Sequence, residues 1–519
     1  MKNKQSNIKA IDFGTAGIRG KVGHGIDHLS HAHIQRIAHG LAKYLIAKHP
    51  NKNEILVVIG RDNRRYSNKY AKVIAEILDS YGKIKIILSR KITPTPFVSY
   101  LIIRNKADAG VNITASHNPK EYNGVKLYNN FGSQCLPEEI AEIKQYFKPF
   151  SSYSDEFSCK YNWPTSKNIR NVKISEWNEY VEKVCSVGGN VKFDKNNSNI
   201  KLAYSPLHGT GSVVAEKVFN KLGLTKGVDV FFEPTQFKQD RNFTSCEYPN
   251  PERDDVYKLV EKLGQKHNCD ILVVTDPDAD RVGVRVLHNG NYVHLNGNET
   301  ASITIQYLLE NSTDSLKNKY LVYSYVSSNL PELIAKEFGL QTYVVPTGFK
   351  WIGKMIVEKD EDMFYGFEES YGSLINHDIA RDKDAIQSLV TVAKMAQFYK
   401  QKGLTLIDVL DKIHLKHGFV SSKTIDIEIG KNTDLSVLQD KFKNLFSTNK
   451  KIHDYNLETD FMKSNMIKLF FDHKPDWLAM RPSGTEPKIK FYVFAYGNDA
   501  IDSQKKLDYY INLIKKNVL

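Results

Sequence analysis

Five cysteines, at 135, 159, 185, 246 and 269, are spread through 519 residues, and no two form a CxxC pair. An odd number so dispersed suits neither a disulfide framework nor a zinc site, and fits reduced thiols. No uninterrupted apolar stretch approaches the ~20 residues needed to cross a bilayer. The first eleven residues mix lysine with polar residues and lack the apolar core of a secretion signal. Both absences point to the cytoplasm. No low-complexity segment stands out, and no helix-turn-helix, zinc or RNP-type signature accompanies the charge. That charge is +13, from 72 Lys and Arg against 59 Asp and Glu. A basic balance favours anionic partners, nucleic acid or phosphorylated metabolites among them, but its basic residues are scattered rather than blocked, which favours a solvated surface without a partner over a nucleic-acid role. What remains is ordinary globular composition, 41% hydrophobic and 25% charged. At ~150 residues per domain, the length allows three or four domains.

One order of elements occurs three times. The first run predicts a strand over 55–59, a helix over 67–80 with Val73, Ile74, Ile77 and Leu78 on one face, and strands over 84–88 and 111–113. The second predicts strands over 201–204 and 228–232 around a helix over 211–222, then a strand over 271–274. The third predicts a strand over 320–325, a helix over 331–338, and strands over 342–345 and 363–365. Strands alternating with helices imply βαβ units and mostly parallel sheets. Each run ends in a polar loop, and ligands gather beyond the carboxyl ends of such strands. After about residue 418 the alternation stops, and a helix over 435–446 and a strand over 489–495 suggest a smaller α+β domain.

The loops carry the chemistry. Asp276-Pro277-Asp278-Ala279-Asp280-Arg281 sets three carboxylates on alternate residues, which repel one another unless a cation holds them. Oxygen ligands of this kind suit Mg²⁺. An EF-hand is excluded, because Arg281 and Leu287 stand where glycine and glutamate are required. Thr114-Ala115-Ser116-His117-Asn118-Pro119 offers a serine that alone is a turn residue, but beside a metal site becomes a candidate phosphate carrier. Arg481-Pro482-Ser483-Gly484-Thr485 offers a guanidinium fork, hydroxyls and freed N–H groups for a phosphate dianion, though it reads equally as a surface turn. Gly366-Phe367-Glu368-Glu369-Ser370 supplies acceptors for sugar hydroxyls, yet on its own it reads better as an acidic helix N-terminus.

These four loops, in this order, resemble those of the α-D-phosphohexomutase superfamily over nearly the whole chain, closest to the phosphoglucomutase-2 and bacterial phosphoglucomutase/phosphomannomutase branch. Phe13-Gly14-Thr15-Ala16-Gly17-Ile18-Arg19-Gly20, Asn123-Gly124-Val125-Lys126 and Pro346-Thr347-Gly348-Phe349-Lys350 fit as well. The resemblance implies an α/β fold: three consecutive mixed-sheet domains and a smaller C-terminal α+β domain around a central cleft. The expected boundaries are 1–165 (phosphoserine loop), 166–298 (metal), 299–418 (sugar) and 419–519 (phosphate). It implies Mg²⁺ on Asp276, Asp278, Asp280 and a phosphate on Ser116, with Arg19, His117, Lys126 and Arg281 at the transferring group and Lys126 as general base. Thr347, Gly348 and Lys350 would lie near the sugar, Glu368 and Ser370 would read its hydroxyls, and Arg481, Ser483, Gly484 and Thr485 would hold the non-reacting phosphate.

The implied activity is an isomerase that moves phosphate between the 1- and 6-positions of glucose or mannose through a sugar 1,6-bisphosphate. Phe367 stands where glucose-specific branches often carry Gly, so the sugar, including a pentose, stays open. A sugar-phosphate phosphatase with Asp276 as nucleophile is the rival reading. A monomer or weak oligomer suffices.

Overall fold

The computed structural model describes residues 9–155, 163–194, 199–312, 315–430, 433–446, 450–472, 474–482 and 488–519. Four sheets follow one another along the chain. The first has seven strands in the order Phe13–Gly14, Gly17–Lys21, Tyr122–Tyr128, Ala109–Ile113, Ile55–Arg61, Ile84–Leu88, Ile169–Asn171. Its centre is parallel, Ile55–Arg61 lying between Ile84–Leu88 and Ala109–Ile113, and Tyr122–Tyr128 returns antiparallel. The apolar, β-branched runs that mark these strands are buried on both faces, as a sheet covered by helices on both sides requires. Helix Ser67–Asp79 buries Tyr70, Val73, Ile74 and Leu78 against it.

The second sheet places Leu202–Ser205 parallel to both Val230–Phe232 and Ile271–Thr275, and Val282–His288 returns antiparallel. The third pairs Lys319–Ser324 in parallel with Gln341–Val345 and Asp362–Glu368, and Gly372–Leu374 returns antiparallel. These two sheets share one apolar core, into which helices Gly297–Asn311 and Ala385–Gln401 pack. The fourth sheet is antiparallel throughout, with Phe419–Glu428 and Lys488–Gly497 paired along their lengths and helix Ala500–Asn517 packed on it. An aromatic cluster including Tyr325, Tyr455 and Trp477 joins it to the third. Three mixed α/β sheets and a C-terminal antiparallel one match the expected fold class. Among the described residues, no helix is long and apolar enough to cross a membrane.

Two local readings change. The helix expected over 211–222 begins only at Ala215, after a 3₁₀ turn over Thr210–Val213, because Gly211 is pressed against Tyr204 and Thr275. Glu368, Glu369 and Ser370 open no helix. They end strand Asp362–Glu368 and turn into Gly372–Leu374, so helix-dipole compensation does not explain the acidic pair.

The same device therefore appears three times: a parallel strand ends, a short polar loop reverses the chain, and the next strand runs back beside it. Each reversal contains a non-glycine residue in the left-handed region, Ser116 at φ 51°, Ala279 at 54° and Tyr371 at 67°. Such residues persist only where their surroundings over-determine them. Glycines of neighbouring loops allow the close packing. A Cβ at Gly209 would lie 2.3 Å from the Pro277 Cα, and one at Gly297 2.1 Å from the Glu369 carbonyl oxygen. Gly209→Ala should destabilise the protein by about 1–3 kcal/mol through this backbone clash, read as a lower urea midpoint with an unchanged slope.

Candidate active site

Ser116 sits in a turn built for it. Its N–H donates to Thr114 Oγ1 at 2.9 Å. Beneath the loop, the buried Arg64 guanidinium donates to the carbonyls of Ser116 and Asn118, both at 2.5 Å, and of Pro119 and Tyr122, at 2.8 and 3.1 Å. Asp62 faces Arg64 Nε at 3.2 Å, so the charge that organises the loop is compensated. From the next sheet, Asp276 reaches across, and the Ser116 hydroxyl donates to Asp276 Oδ2 at 2.6 Å. His117 Nδ1 lies 3.2 Å from the same hydroxyl oxygen. Burial, then the nearby cations Arg281 and Arg19, hold that imidazole well below its usual pKa.

The acidic loop is equally constrained. Asp276 Oδ1 accepts from the N–H groups of Asp280 and Arg281, both at 3.0 Å. Asp278 Oδ2 accepts from Thr95 Oγ1 at 2.7 Å and from Lys126 Nζ at 2.8 Å, and Lys126 also donates to Asp280 Oδ2 at 2.7 Å. All three carboxylates are buried. Burial, reinforced by its two acidic neighbours, pushes the Asp276 carboxyl well above the usual range. For Asp278 the cost of burial is outweighed by Lys126, and its pKa falls. Burial opposes the charge on Lys126 too, but Asp278 and Asp280 overcome it and hold the amine as a cation.

One oxygen of each aspartate falls within 4.8 Å of the others. Asp278 Oδ1 and Asp280 Oδ1 are buried without any hydrogen-bond partner. Orphaned carboxylate oxygens in a dry site are costly, and a hard divalent cation, which takes carboxylate oxygens, is the ligand that satisfies them. The residues present therefore fit a metal.

Arg19 donates to Asn118 Oδ1 at 2.9 Å, and Arg281 to Glu252 at 3.1 Å. Glu368 Oε1 accepts the Gly348 N–H at 2.6 Å, which brings two expected sugar-binding positions together. Glu369 is occupied by the hydroxyls of Ser324 and Ser327, at 2.8 and 2.9 Å. Ser370 is partly buried in the turn that follows. Lys350 lines a cavity of about 400 Å³ with Gly14 and Thr15 from the first sheet. Arg481 donates to Thr347 Oγ1 at 3.0 Å, linking the fourth sheet to the third. Ser483, Gly484 and Thr485 lie outside the described residues.

Three contributors escaped the sequence reading. Arg64 and Asp62 follow the strand Ile55–Arg61, at the carboxyl end where ligands gather, and that position was the available signal. Lys383, 3.5 Å from Asp280 Oδ2 and 3.4 Å from Asp382 Oδ1, had no such marker.

Comparison with known proteins decides the family. Models described as phosphoglucomutase/phosphomannomutase α/β/α domains I, II and III match residues 10–153, 178–289 and 296–414. The chain belongs to the phosphoglucomutase/phosphomannomutase family. It is thus an isomerase of the phosphohexomutase type. A phosphoglucomutase of Staphylococcus haemolyticus strain JCSC1435 is 33% identical over 509 residues, covering 93% of this chain and 90% of the relative. One of Staphylococcus aureus strain USA300 is 33% identical over 514 residues, covering 93% and 89%. Among solved structures of similar fold, Paramecium parafusin in its open form has a TM-score of 0.75 at 18% identity, covering 98% of this chain and 95% of that one. A family protein from Burkholderia thailandensis has a TM-score of 0.71 at 16% identity, covering 98% of each.

A cation held by these oxygens should stabilise the fold. Mg²⁺ at roughly a hundredfold its Kd should add about 2.7 kcal/mol of unfolding free energy. Asp278→Asn should lose most of that Mg²⁺-dependent rise in melting temperature, and an equal rise in the variant would place the cation elsewhere.

Proposed function

We propose that this protein interconverts sugar 1-phosphates and 6-phosphates by way of a phosphorylated Ser116 and a sugar bisphosphate. The observation that carries the reading is the buried Ser116 hydroxyl held at 2.6 Å from Asp276, at the edge of a carboxylate cluster with orphaned oxygens. A phosphatase with Asp276 as nucleophile leaves Ser116, Arg64 and the left-handed turn without purpose.

In the first half-reaction the free hydroxyl of a sugar monophosphate attacks the phosphoserine phosphorus, the Ser116 Oγ–P bond breaks, and the hydroxyl proton is passed on so that Ser116 Oγ is re-protonated. The bisphosphate turns end for end, and its other phosphate returns to Ser116 with the proton moving the opposite way. His117 Nδ1, 3.2 Å from Ser116 Oγ, stands at the serine end of that transfer. Arg19, Lys126 and Arg281 offset the charge of the moving phosphoryl group. The sequence reading made Lys126 the general base. We keep that role beside charge neutralisation: Lys126 bridges Asp278 and Asp280 at 2.8 and 2.7 Å, and a cation on those carboxylates would loosen their hold on its proton. Held by Asp276, Asp278 and Asp280, Mg²⁺ would polarise a phosphate oxygen on Ser116 and stabilise the charge that develops on transfer.

Glu368, Ser370, Thr347, Gly348 and Lys350 are assigned to the sugar, and Arg481 with Ser483, Gly484 and Thr485 to the phosphate that is not reacting. The name phosphoglucomutase borne by the staphylococcal relatives puts glucose first, with mannose and pentose phosphates behind it. We place the reaction in the cytoplasm.

Ser116→Ala should abolish isomerisation of glucose 1-phosphate, assayed with Mg²⁺ and a trace of glucose 1,6-bisphosphate, and keep the wild-type melting temperature. An active variant ends this reading, and stoichiometric phosphate release from the wild type replaces it with a phosphatase. Parallel assays of mannose and ribose 1-phosphates rank the sugars.

Acidity provides a second test. Burial, with Glu369 adding to it against Lys383, raises the Glu368 carboxyl to about 7. Its charged form, the better acceptor for sugar hydroxyls, is therefore lost as pH falls through about 7. The ratio of wild-type to Glu368→Gln kcat/KM should fall as pH drops from 8 to 6 (about one pH unit either side of that value). A ratio independent of pH removes Glu368 from sugar recognition.

A further inference from the structure

A cavity of about 520 Å³ opens beside the Arg64 loop, lined from one side by Arg61, Asn63, Arg65 and Lys69 and from the other by Arg241 and Asn242. Arg64, whose guanidinium turns away to hold the Ser116 loop, also lines it, and the other lining residues have no part in the reaction described above. A hollow of about 450 Å³ adjoins it and shares Arg61 and Arg241.

Three guanidinium groups, of Arg61, Arg65 and Arg241, line this space. Among the described residues, no carboxylate oxygen stands within 4.0 Å of the guanidinium of Arg61, Arg65 or Arg241. Arg61 is satisfied only in part. Its terminal nitrogens donate to the carbonyls of Asp62 at 3.2 Å and Arg90 at 2.7 Å, and its Nε is buried with no partner. Arg65 is held by an aromatic ring, 5.0 Å above the centre of Tyr66, and touches the phenol oxygen at 3.3 Å. Asp240, the acid lining the adjoining hollow, already accepts from the N–H of Asn242 at 2.9 Å and from the N–H and hydroxyl of Thr244 at 2.9 and 2.6 Å.

Guanidinium groups that gather without carboxylates repel one another, and a bound anion would relieve that repulsion; Arg65 and Arg241 reach the cavity from the exposed surface, and Arg61 is partly buried. Their planar forks match phosphate oxygens in pairs. The cavity also opens at the N-terminal turn of helix Ser67–Asp79, where the helix dipole favours negative charge. Asn63 adds polarity of both signs: its Nδ2 donates to the His208 carbonyl at 2.8 Å, and its buried Oδ1 is free to accept. The number of cations exceeds what a single phosphate needs. We propose that this cavity binds a small anion bearing two or more phosphoryl groups, at a site separate from the reacting phosphates.

Inorganic pyrophosphate is the probe, titrated calorimetrically in EDTA against the full-length protein, the Arg65→Ala/Arg241→Ala double variant and Arg481→Ala. Two classes of site are expected in the wild type, because pyrophosphate also competes for the substrate cleft. The double variant should weaken one class at least tenfold, about the loss of one charge-assisted hydrogen bond. It should turn over glucose 1-phosphate within about twofold of the wild type, since the two arginines lie outside the cleft. Arg481→Ala should weaken only the other class. A single class in the wild type, or two classes unaffected by the double variant, overturns the proposal. So does a loss of binding accompanied by a matching rise in the sugar-phosphate KM, because the cavity would then belong to the substrate cleft. None of these outcomes depends on whether Ser116 carries the phosphate.

Discussion

Three carboxylates buried within 4.8 Å of one another are the constraint to which the rest of the structure answers. In water such a cluster would be screened, whereas in a dry interior it is tolerable only if every oxygen has a partner or a cation. The protein supplies part of the compensation itself. Lys126 bridges Asp278 and Asp280, Lys383 approaches Asp280, and backbone N–H groups cap Asp276. Two oxygens are left over, and the Ser116 hydroxyl points at the cluster. That residual negative charge beside a serine makes the acidic loop a candidate cation site.

The fold delivers this arrangement by repetition. Each of the first three sheets ends a parallel strand in a tight reversal with a left-handed residue, and the three reversals carry Ser116, the aspartates and Glu368 respectively. Loops from different sheets interlock through backbone contacts: Thr95 N–H to the Asp278 carbonyl at 2.8 Å, Val282 N–H to the Tyr371 carbonyl at 3.1 Å, Ala385 N–H to the Ala279 carbonyl at 3.2 Å. Such contacts fix catalytic groups more rigidly than side-chain bonds from mobile loops, which is what positioning requires. The fourth sheet meets the third through an aromatic cluster, the Arg481–Thr347 bond, and hydrogen bonds of Asn329 with Pro475, Trp477 and Tyr496.

Much of this was legible in the sequence. Strands such as Ile55–Arg61 and Ile271–Thr275 are continuous apolar runs, and the polar loops after them stand out by contrast. The alternate spacing of Asp276, Asp278 and Asp280 pointed to a candidate cation site because like charges need a reason to be together. Other features were illegible for physical reasons. The acidic pair Glu368–Glu369 resembles a helix N-terminus in any short window, and only the strand that continues through Glu368 shows otherwise. The helix start at 211 failed because Gly211 sits where a neighbouring tyrosine leaves no room, a contact made between distant segments. Arg64 and Lys383 act through partners 50 or more residues away in sequence or on another sheet, and local periodicity carries no trace of them.

The account stands or falls on whether the cation in the aspartate cluster shares a phosphate on Ser116. Manganese can replace magnesium at such oxygen sites and reports on nearby phosphorus. The decisive measurement is electron–nuclear double resonance of the Mn²⁺-loaded protein, before and after incubation with glucose 1,6-bisphosphate and removal of free sugar. The account predicts a strong phosphorus-31 coupling after incubation that is absent from Ser116→Ala. Manganese bound at the cluster with no phosphorus coupling, in a protein that still isomerises sugar phosphates, would contradict it.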